Sequence, residues 1–258
     1  MSDANAWKTY DEFIYGADAN RLSSTDALVG KSLAVIPTQG PRLALEFTAA
    51  DRVNWSSGTY RGSDWCEVIE VAPDTYFIDM TFEEWPREAL TVIANLTSRR
   101  TLSVRSIVRE EEVPNEPRVM QRFDAGVLEG GAATGITPAP TRDLIGLRTR
   151  NVYSPNHTYE HIYLSSERYC WQCLVGVQRG HGDVDMASTW KFAENQYVFT
   201  FREFKIAVAS VFFLNFDDLR STGKFLGITA DGRVSNEAAG AFVTKASMTF
   251  YSPEAAPV

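Results

Sequence analysis

Two short stretches of this 258-residue chain carry side chains able to move protons. The first runs from Tyr153-Ser-Pro-Asn156 into Tyr159-Glu160-His161-Ile162-Tyr163-Leu164. On a strand, alternation puts Tyr159, His161 and Tyr163 on one face and Glu160, Ile162 and Leu164 on the other. If the Tyr/His face points inward, phenol and imidazole groups suited to proton transfer near neutral pH line an interior. If it points outward, the segment is an ordinary amphipathic strand with its polar aromatics in solvent. The second stretch is Tyr197-Val-Phe199-Thr-Phe201-Arg-Glu203. Here Tyr197, Phe199, Phe201 and Glu203 share a face, so Glu203 follows the aromatics to a pocket wall. A carboxylate among aromatic rings is desolvated, which raises its pKa and suits it to act as a general acid or base. Arg202 then points outward, as a solvated cation or a partner for a neighbouring strand.

Other reactive-looking residues read more blandly. Lys191 is a candidate substrate contact, although a single Lys on a strand is usually at the surface. Trp171 is a candidate pocket wall between Cys170 and Cys173. That C-x-x-C pair places its thiols on opposite faces of a strand and has no second pair to complete a zinc site. His181, Asp183 and Asp185 could chelate a metal from one strand face, but the glycine-flanked GHGDVD reads by default as a solvated turn. Gly30-Lys31-Ser32 mimics the end of a phosphate loop, yet Thr25 stands where its first glycine belongs and a strand follows. No metal or cofactor is expected.

The elements that position these residues are short strands. Residues 1–27 read as a helical lead-in, because Trp7, Tyr10, Phe13 and Ile14 recur on one helical face; such a segment closes the end of a barrel or covers an edge. Residues 28–112 read as a first barrel and 143–252 as a second, each a series of strands broken by turn signals such as TQGP, SSG and APD. The acidic, Pro-containing EEEVPNEP and the Gly-, Ala-, Pro- and Thr-rich EGGAATGITPAPT break the strand pattern, so residues 113–142 read as a linker. The halves look duplicated: Leu28-Val29-Gly30 matches Leu144-Ile145-Gly146 at an offset of 116 residues, and Tyr76 in YFIDMTF matches Tyr197 at 121. On this match Phe82 stands where the second half has Glu203, so the second half has the better-equipped interior. Many short strands without intervening helices imply an all-β fold, and eight-stranded up-and-down barrels leave room for one small ligand.

Composition limits the partners. The net charge is −8 with no dense Lys/Arg run, which excludes a phosphate backbone. No stretch approaches the length of a membrane span. The N-terminal MSDANAWKTYDEF lacks a basic segment followed by an apolar core, and three cysteines fit a reducing compartment, so a cytoplasmic location is expected. A homodimer is compatible with the sequence.

The second half resembles the C-terminal domain of the MoaF family (molybdenum cofactor biosynthesis protein F), through YSPNHTYEHIYL, YCWQCLVGVQRGHGDVD, YVFTFREF and STGKFLG. The first half, from GKSLAVI to SVRSIV, is similar to that family's N-terminal domain. The resemblance implies two tandem lipocalin-like (calycin) antiparallel β-barrels with a short N-terminal helix. One departure is Phe201, where the family tends to have Trp; Glu203 is retained. A more distant similarity is to phenolic acid decarboxylases, cofactor-free lipocalin-like barrels that use Tyr, Arg and Glu. Tyr153, Tyr159 and Glu203 fall in broadly similar places, but Asn151 stands where a Tyr is expected. Tyr60-Arg61, Trp65 and Glu83/Glu84 echo the same pattern in the first half.

The expected function is therefore a cofactor-independent lyase or isomerase, carrying out decarboxylation, dehydration or cyclisation on a small aromatic or polyene-like molecule. Glu203 and His161 would handle protons, Tyr153 and Tyr159 would hold a hydroxyl or carboxylate, and Trp171, Tyr197, Phe199, Phe201 and Lys191 would contact substrate. The alternative is a non-catalytic carrier or sensor of an apolar metabolite. A structural subunit of a cofactor-synthesis complex is a third reading, resting on the family name only.

Overall fold

Alternating side chains and tight turns fold this chain into two closed antiparallel barrels of eight strands each. The computed structural model describes residues 7–258. The first barrel comprises β1 (Ser32–Pro37), β2 (Leu43–Ala49), β3 (Arg52–Ser57), β4 (Tyr60–Ala72), β5 (Thr75–Thr81), β6 (Glu88–Asn95), β7 (Arg100–Val108) and β8 (Val119–Leu128). After a two-residue strand, β9 (Ala139–Pro140), the second comprises β10 (Leu147–Ser154), β11 (His157–Tyr163), β12 (Arg168–Val175), β13 (Gly182–Ala193), β14 (Gln196–Arg202), β15 (Val208–Asn215), β16 (Arg220–Ile228) and β17 (Val234–Met248). In each barrel the strands run up and down in chain order. Pairing of the first with the last, β1 with β8 and β10 with β17, closes the sheet. Closure leaves no free edge to template association. β9 adds to the outside of β13.

The duplication read from the sequence extends to fine detail. The β4–β5 and β13–β14 hairpins turn through Asp74 and Asn195, both with positive φ, which these short polar residues tolerate. Both hairpins carry a bulge just before the turn, at Glu70/Ala72 and at Lys191/Ala193. Tyr76, Ile78, Met80 and Phe82 fill the inside of the first barrel. Their counterparts Tyr197, Phe199 and Phe201 fill the second.

The outward residues of the same strands are also apolar, because the barrels pack on each other. Val71, Phe77, Ile93, Leu102 and Val104 of the first meet Phe192, Val198, Val211 and Phe213 of the second in one cluster. This is why YFIDMTF and YVFTFRE read as nearly continuous hydrophobic runs, as strands buried on both faces do. A buried ion pair bridges the barrels: Lys224 of β16 lies 2.7 Å from Glu67 of β4. Arg202 joins this interface, with its guanidinium donating to Gln121 of β8 and Ser188 of β13. It is buried and not a solvated surface cation.

Two boundaries differ from the sequence expectation. Residues 119–128, placed in a linker at 113–142, form β8 and complete the first barrel. Their pattern is inverted: Phe123 and Ala125 face the second barrel, while the polar Arg122 and Asp124 face inward, cross-strand from Arg105 and Ser103. Among the described residues of the lead-in, helix is confined to α1 (Tyr10–Ile14), where Glu12 accepts from the Thr9 amide, and Gly16 with φ +81° ends the helix soon afterwards. The expected apolar face is present. Tyr10 and Phe13 are buried against the second barrel, with Trp7 and Ile14 packed beside them. The Tyr10 hydroxyl donates to the Phe225 carbonyl at 2.8 Å, and its ring lies where a Cβ on Gly227 would sit.

The inter-barrel cluster gives a direct stability test. Phe213 is 1% exposed, so Phe213→Ala should cost about 3–5 kcal/mol in urea unfolding. A loss below 1 kcal/mol would show that the barrels are not held by this contact.

Candidate functional site

The inner surface of the second barrel answers which face of β11 points inward. Tyr159, His161 and Tyr163 do, and so does His157, two residues earlier in the same alternation. Glu160 points outward to Arg148 and Gln172. Tyr153 of β10, Tyr169 and Trp171 of β12, and Phe201 of β14 converge on the same interior. Glu203 lies one residue past the end of β14, buried, with its carboxyl in this cavity. Phe13 and Ala17 from the lead-in cover the opening. Four of the residues proposed to handle or hold the substrate, Glu203, His161, Tyr153 and Tyr159, thus border one space, together with Trp171 and Phe201. That space is about 30 Å³, room for little more than a water molecule.

Three other expected contacts lie elsewhere. Lys191 pairs with Asp143 and Glu194, each at 3.0 Å, at the opposite end of the barrel. The Tyr197 hydroxyl donates to Asp143 there as well. Lys191 opposes Tyr197 across the β13–β14 ladder, so both sit at the far end of the barrel from the cavity: Lys191 in a partly exposed ion-pair cluster, Tyr197 buried with its hydroxyl reaching that cluster. Phe199 is interior but does not border the cavity; it packs instead on His161, Tyr163 and Tyr169.

Burial drives the proton affinities apart. Desolvation, with Asp185 and Asp183 nearby, pushes the Glu203 carboxyl well above the usual carboxylate range. Desolvation lowers His161 to about 4, only weakly opposed by the Glu160 carboxylate. His157 is also lowered by burial, against hydrogen bonds to the Tyr15 and Phe13 backbone. Tyr153, Tyr159 and Tyr169 are raised by burial and remain phenols. At neutral pH the His161 imidazole is therefore uncharged, beside a carboxyl whose proton affinity burial has raised. Tyr159 donates to Gln178 at 2.7 Å, which fixes its hydroxyl at the cavity wall.

Asp185 is the residue the sequence reading undervalued. It is buried inside β13 and not part of a solvated turn. Its carboxylate accepts from the Trp171 indole at 2.9 Å and from the Phe204 amide at 3.1 Å. Desolvation raises it to about 6. The first barrel repeats this clasp: Asp64 accepts from the Trp55 indole at 2.7 Å and from the Glu83 amide at 3.0 Å. The duplication offsets, 116 for the Trp and 121 for the Asp, were the signal that could have found it. Tyr169, His157 and Gln178 were also missed. The first two follow from alternation, whereas Gln178 lies in a loop that carries no such pattern. His181 packs on Trp7 and Asp183 pairs with Lys205, so neither joins Asp185. Among the described residues no cluster of three or more His, Cys, Asp or Glu is arranged for a metal. No helix among them is long and apolar enough to cross a membrane.

Two family descriptions match the chain, the MoaF N-terminal domain over residues 5–110 and the MoaF C-terminal domain over 138–249. Protein MoaF of Klebsiella aerogenes is 35% identical over 182 residues, covering 66% of this chain and 69% of that protein. Among solved structures, a putative β-lactamase from Burkholderia vietnamiensis is 12% identical, covering 40% of this chain and 95% of its own, with a TM-score of 0.35. The DNA polymerase III β chain of Streptococcus pneumoniae is 10% identical over 91% of this chain and 83% of its own, with a TM-score of 0.13. At such low TM-scores neither likeness bears on function.

The lowered His161 generates a pH test. Its folded pKa of about 4 lies below the unfolded value of 6.5. The unfolded chain therefore takes up the proton first as pH falls, and stability drops between pH 6.5 and pH 4. At about 1.4 kcal/mol per unit this is about 3 kcal/mol. Urea unfolding of wild type should show that loss relative to His161→Phe, and the imidazole Cε1 proton should titrate near 4 by NMR. A midpoint near 6.5 would mean that His161 is open to solvent.

Proposed function

We propose a function from the second barrel's interior, given that the chain belongs to the MoaF family: cofactor-independent acid–base catalysis on a small aromatic or polyene-like molecule. The observation that carries this reading is the convergence on one cavity of Glu203, whose carboxyl burial pushes toward its protonated form, and His161, whose imidazole burial keeps neutral. Two titratable groups pushed in opposite directions supply an acid and a base at the same pH. His161 would take a proton from the substrate while Glu203 delivers one, which is the proton balance of an isomerisation or a dehydration. In a decarboxylation Glu203 would protonate the carbon that loses carbon dioxide. Tyr153 and Tyr159 would donate to a substrate hydroxyl or carboxylate, and Trp171 and Phe201 would flank the ring. Charge developing in a space without bulk water is stabilised strongly by such fixed donors.

The cavity as it stands holds no molecule of that size, so entry would require the segment around α1 to lift. Lifting it would break the Tyr10 hydroxyl's bonds to the Phe225 and Ser235 carbonyls, the Asp11 carboxylate's bond from the Ala230 amide and the Ala17 carbonyl's bond from the Gly240 amide, and would expose the buried Tyr10 and Phe13 rings. Closure after entry would exclude water, as mobile covers do in many enzymes.

Native mass spectrometry of the purified protein would identify a retained small molecule, which is then incubated with wild type and with Glu203→Gln. Wild type should convert it, and Glu203→Gln should lower kcat by roughly 10²- to 10⁴-fold with an unchanged near-UV spectrum. Full activity in the variant would remove Glu203 from the chemistry. Recovery of the molecule unchanged from wild type would make the barrel a carrier instead.

A further inference from the structure

The first barrel has the space that the second lacks. Its open end encloses about 470 Å³, within the range of small-molecule pockets. One wall is aromatic: Trp55, Phe82, Trp85 and Tyr60 contact one another at ring distances of 5.2–5.6 Å. Beside the aromatic wall lies a cationic patch. Arg105 of β7 and Arg122 of β8 are direct cross-strand partners, both turned inward. Like charges placed opposite each other on a sheet repel, and the carboxylate paired here, Glu88, offsets this at Arg105 and not at Arg122. Glu88 pairs with Arg105, whose guanidinium also lies 5.4 Å from the Trp85 ring. Among the described residues no carboxylate pairs with Arg122. Asp124 also lines this pocket, with its Oδ1 accepting from the Thr38 and Gln39 amides.

The second barrel indicates that these arginines are not demanded by the fold. By register, Phe225 takes the place of Arg105 there. Conversely, Phe82 of the first barrel takes the place of Glu203. The two interiors have exchanged where they carry charge: an acid and a neutral base under a cover in one, two cations at an open mouth in the other.

We propose that the mouth of the first barrel binds a small planar aromatic anion, with its carboxylate on Arg122 and Arg105 and its ring against Trp55 and Trp85. A guanidinium matches a carboxylate in two parallel hydrogen bonds, and the indole rings supply the flat apolar contact. This site is separate from the acid–base cavity and does not depend on it.

The test uses the full chain and 2-naphthoate, with uncharged 2-naphthamide as its isostere, measured by calorimetry and by quenching of indole fluorescence. Naphthoate should bind, and more tightly than naphthamide. Arg122→Ala, at an exposed position where folding is not at stake, should weaken naphthoate roughly 10- to 100-fold and leave naphthamide unchanged. Trp85→Leu should weaken both. Absence of naphthoate binding at millimolar concentration, equal affinity for acid and amide, or binding indifferent to Arg122→Ala would each overturn the proposal. None of these results would touch the Glu203 reading, which lies in the other barrel.

Discussion

One buried carboxylate near the mouth of each barrel, Asp64 in the first and Asp185 in the second, sets the geometry on which both interiors depend. A buried indole N–H must find an acceptor, and so must a backbone amide beyond the last rung of a ladder. A single carboxylate meets both needs, tying β3, β4 and the end of β5 in one barrel and β12, β13 and the end of β14 in the other. The chain leaving β5 or β14 is thereby pinned, and the residue between strand end and clasp is turned inward. In the first barrel that residue is Phe82, in the second Glu203. Desolvation makes the charged Asp185 costly, as its pKa of about 6 records, and two hydrogen bonds offset that cost in part.

From this shared frame the barrels diverge by few side chains. Replacing an apolar ring with a carboxyl at the clasp position puts an ionisable group where water is excluded, so burial, with the nearby Asp185 and Asp183, raises its proton affinity. The lead-in segment accentuates this by covering only the second barrel. Tyr10 and Phe13 fill its mouth and leave about 30 Å³, whereas the first barrel keeps about 470 Å³ open to solvent. The chemistry and the room are therefore in different barrels, joined through the cluster around Phe77 and Phe213.

That joint explains why residues on the outer faces are also constrained. Equivalent strands of the two copies meet, so Val71 and Phe192, and Phe77 and Val198, are duplicated partners within one core. Polar groups at this seam are satisfied across it, as in Lys224 with Glu67 and Arg202 with Gln121. A charge that would be solvated on a lone barrel is here buried and paired.

Alternation and repetition are local or periodic properties, and the sequence by itself determined what they govern. The all-β class, the two copies, the inward line of Tyr197, Phe199 and Phe201, and the opposite faces of Cys170 and Cys173 all follow from a period of two and an offset of 116–121 residues. The resemblance to the MoaF family was legible in contiguous motifs for the same reason. Only the tertiary structure decided what depends on distant contacts. The inward face of β11, the strand Val119–Leu128 hidden in the expected linker, the removal of Lys191 from the site and the burial of Asp185 each depend on which strand or barrel lies opposite. Which barrel is open depends on where a short segment around Tyr10 comes to rest, and no pattern within that segment encodes its docking site.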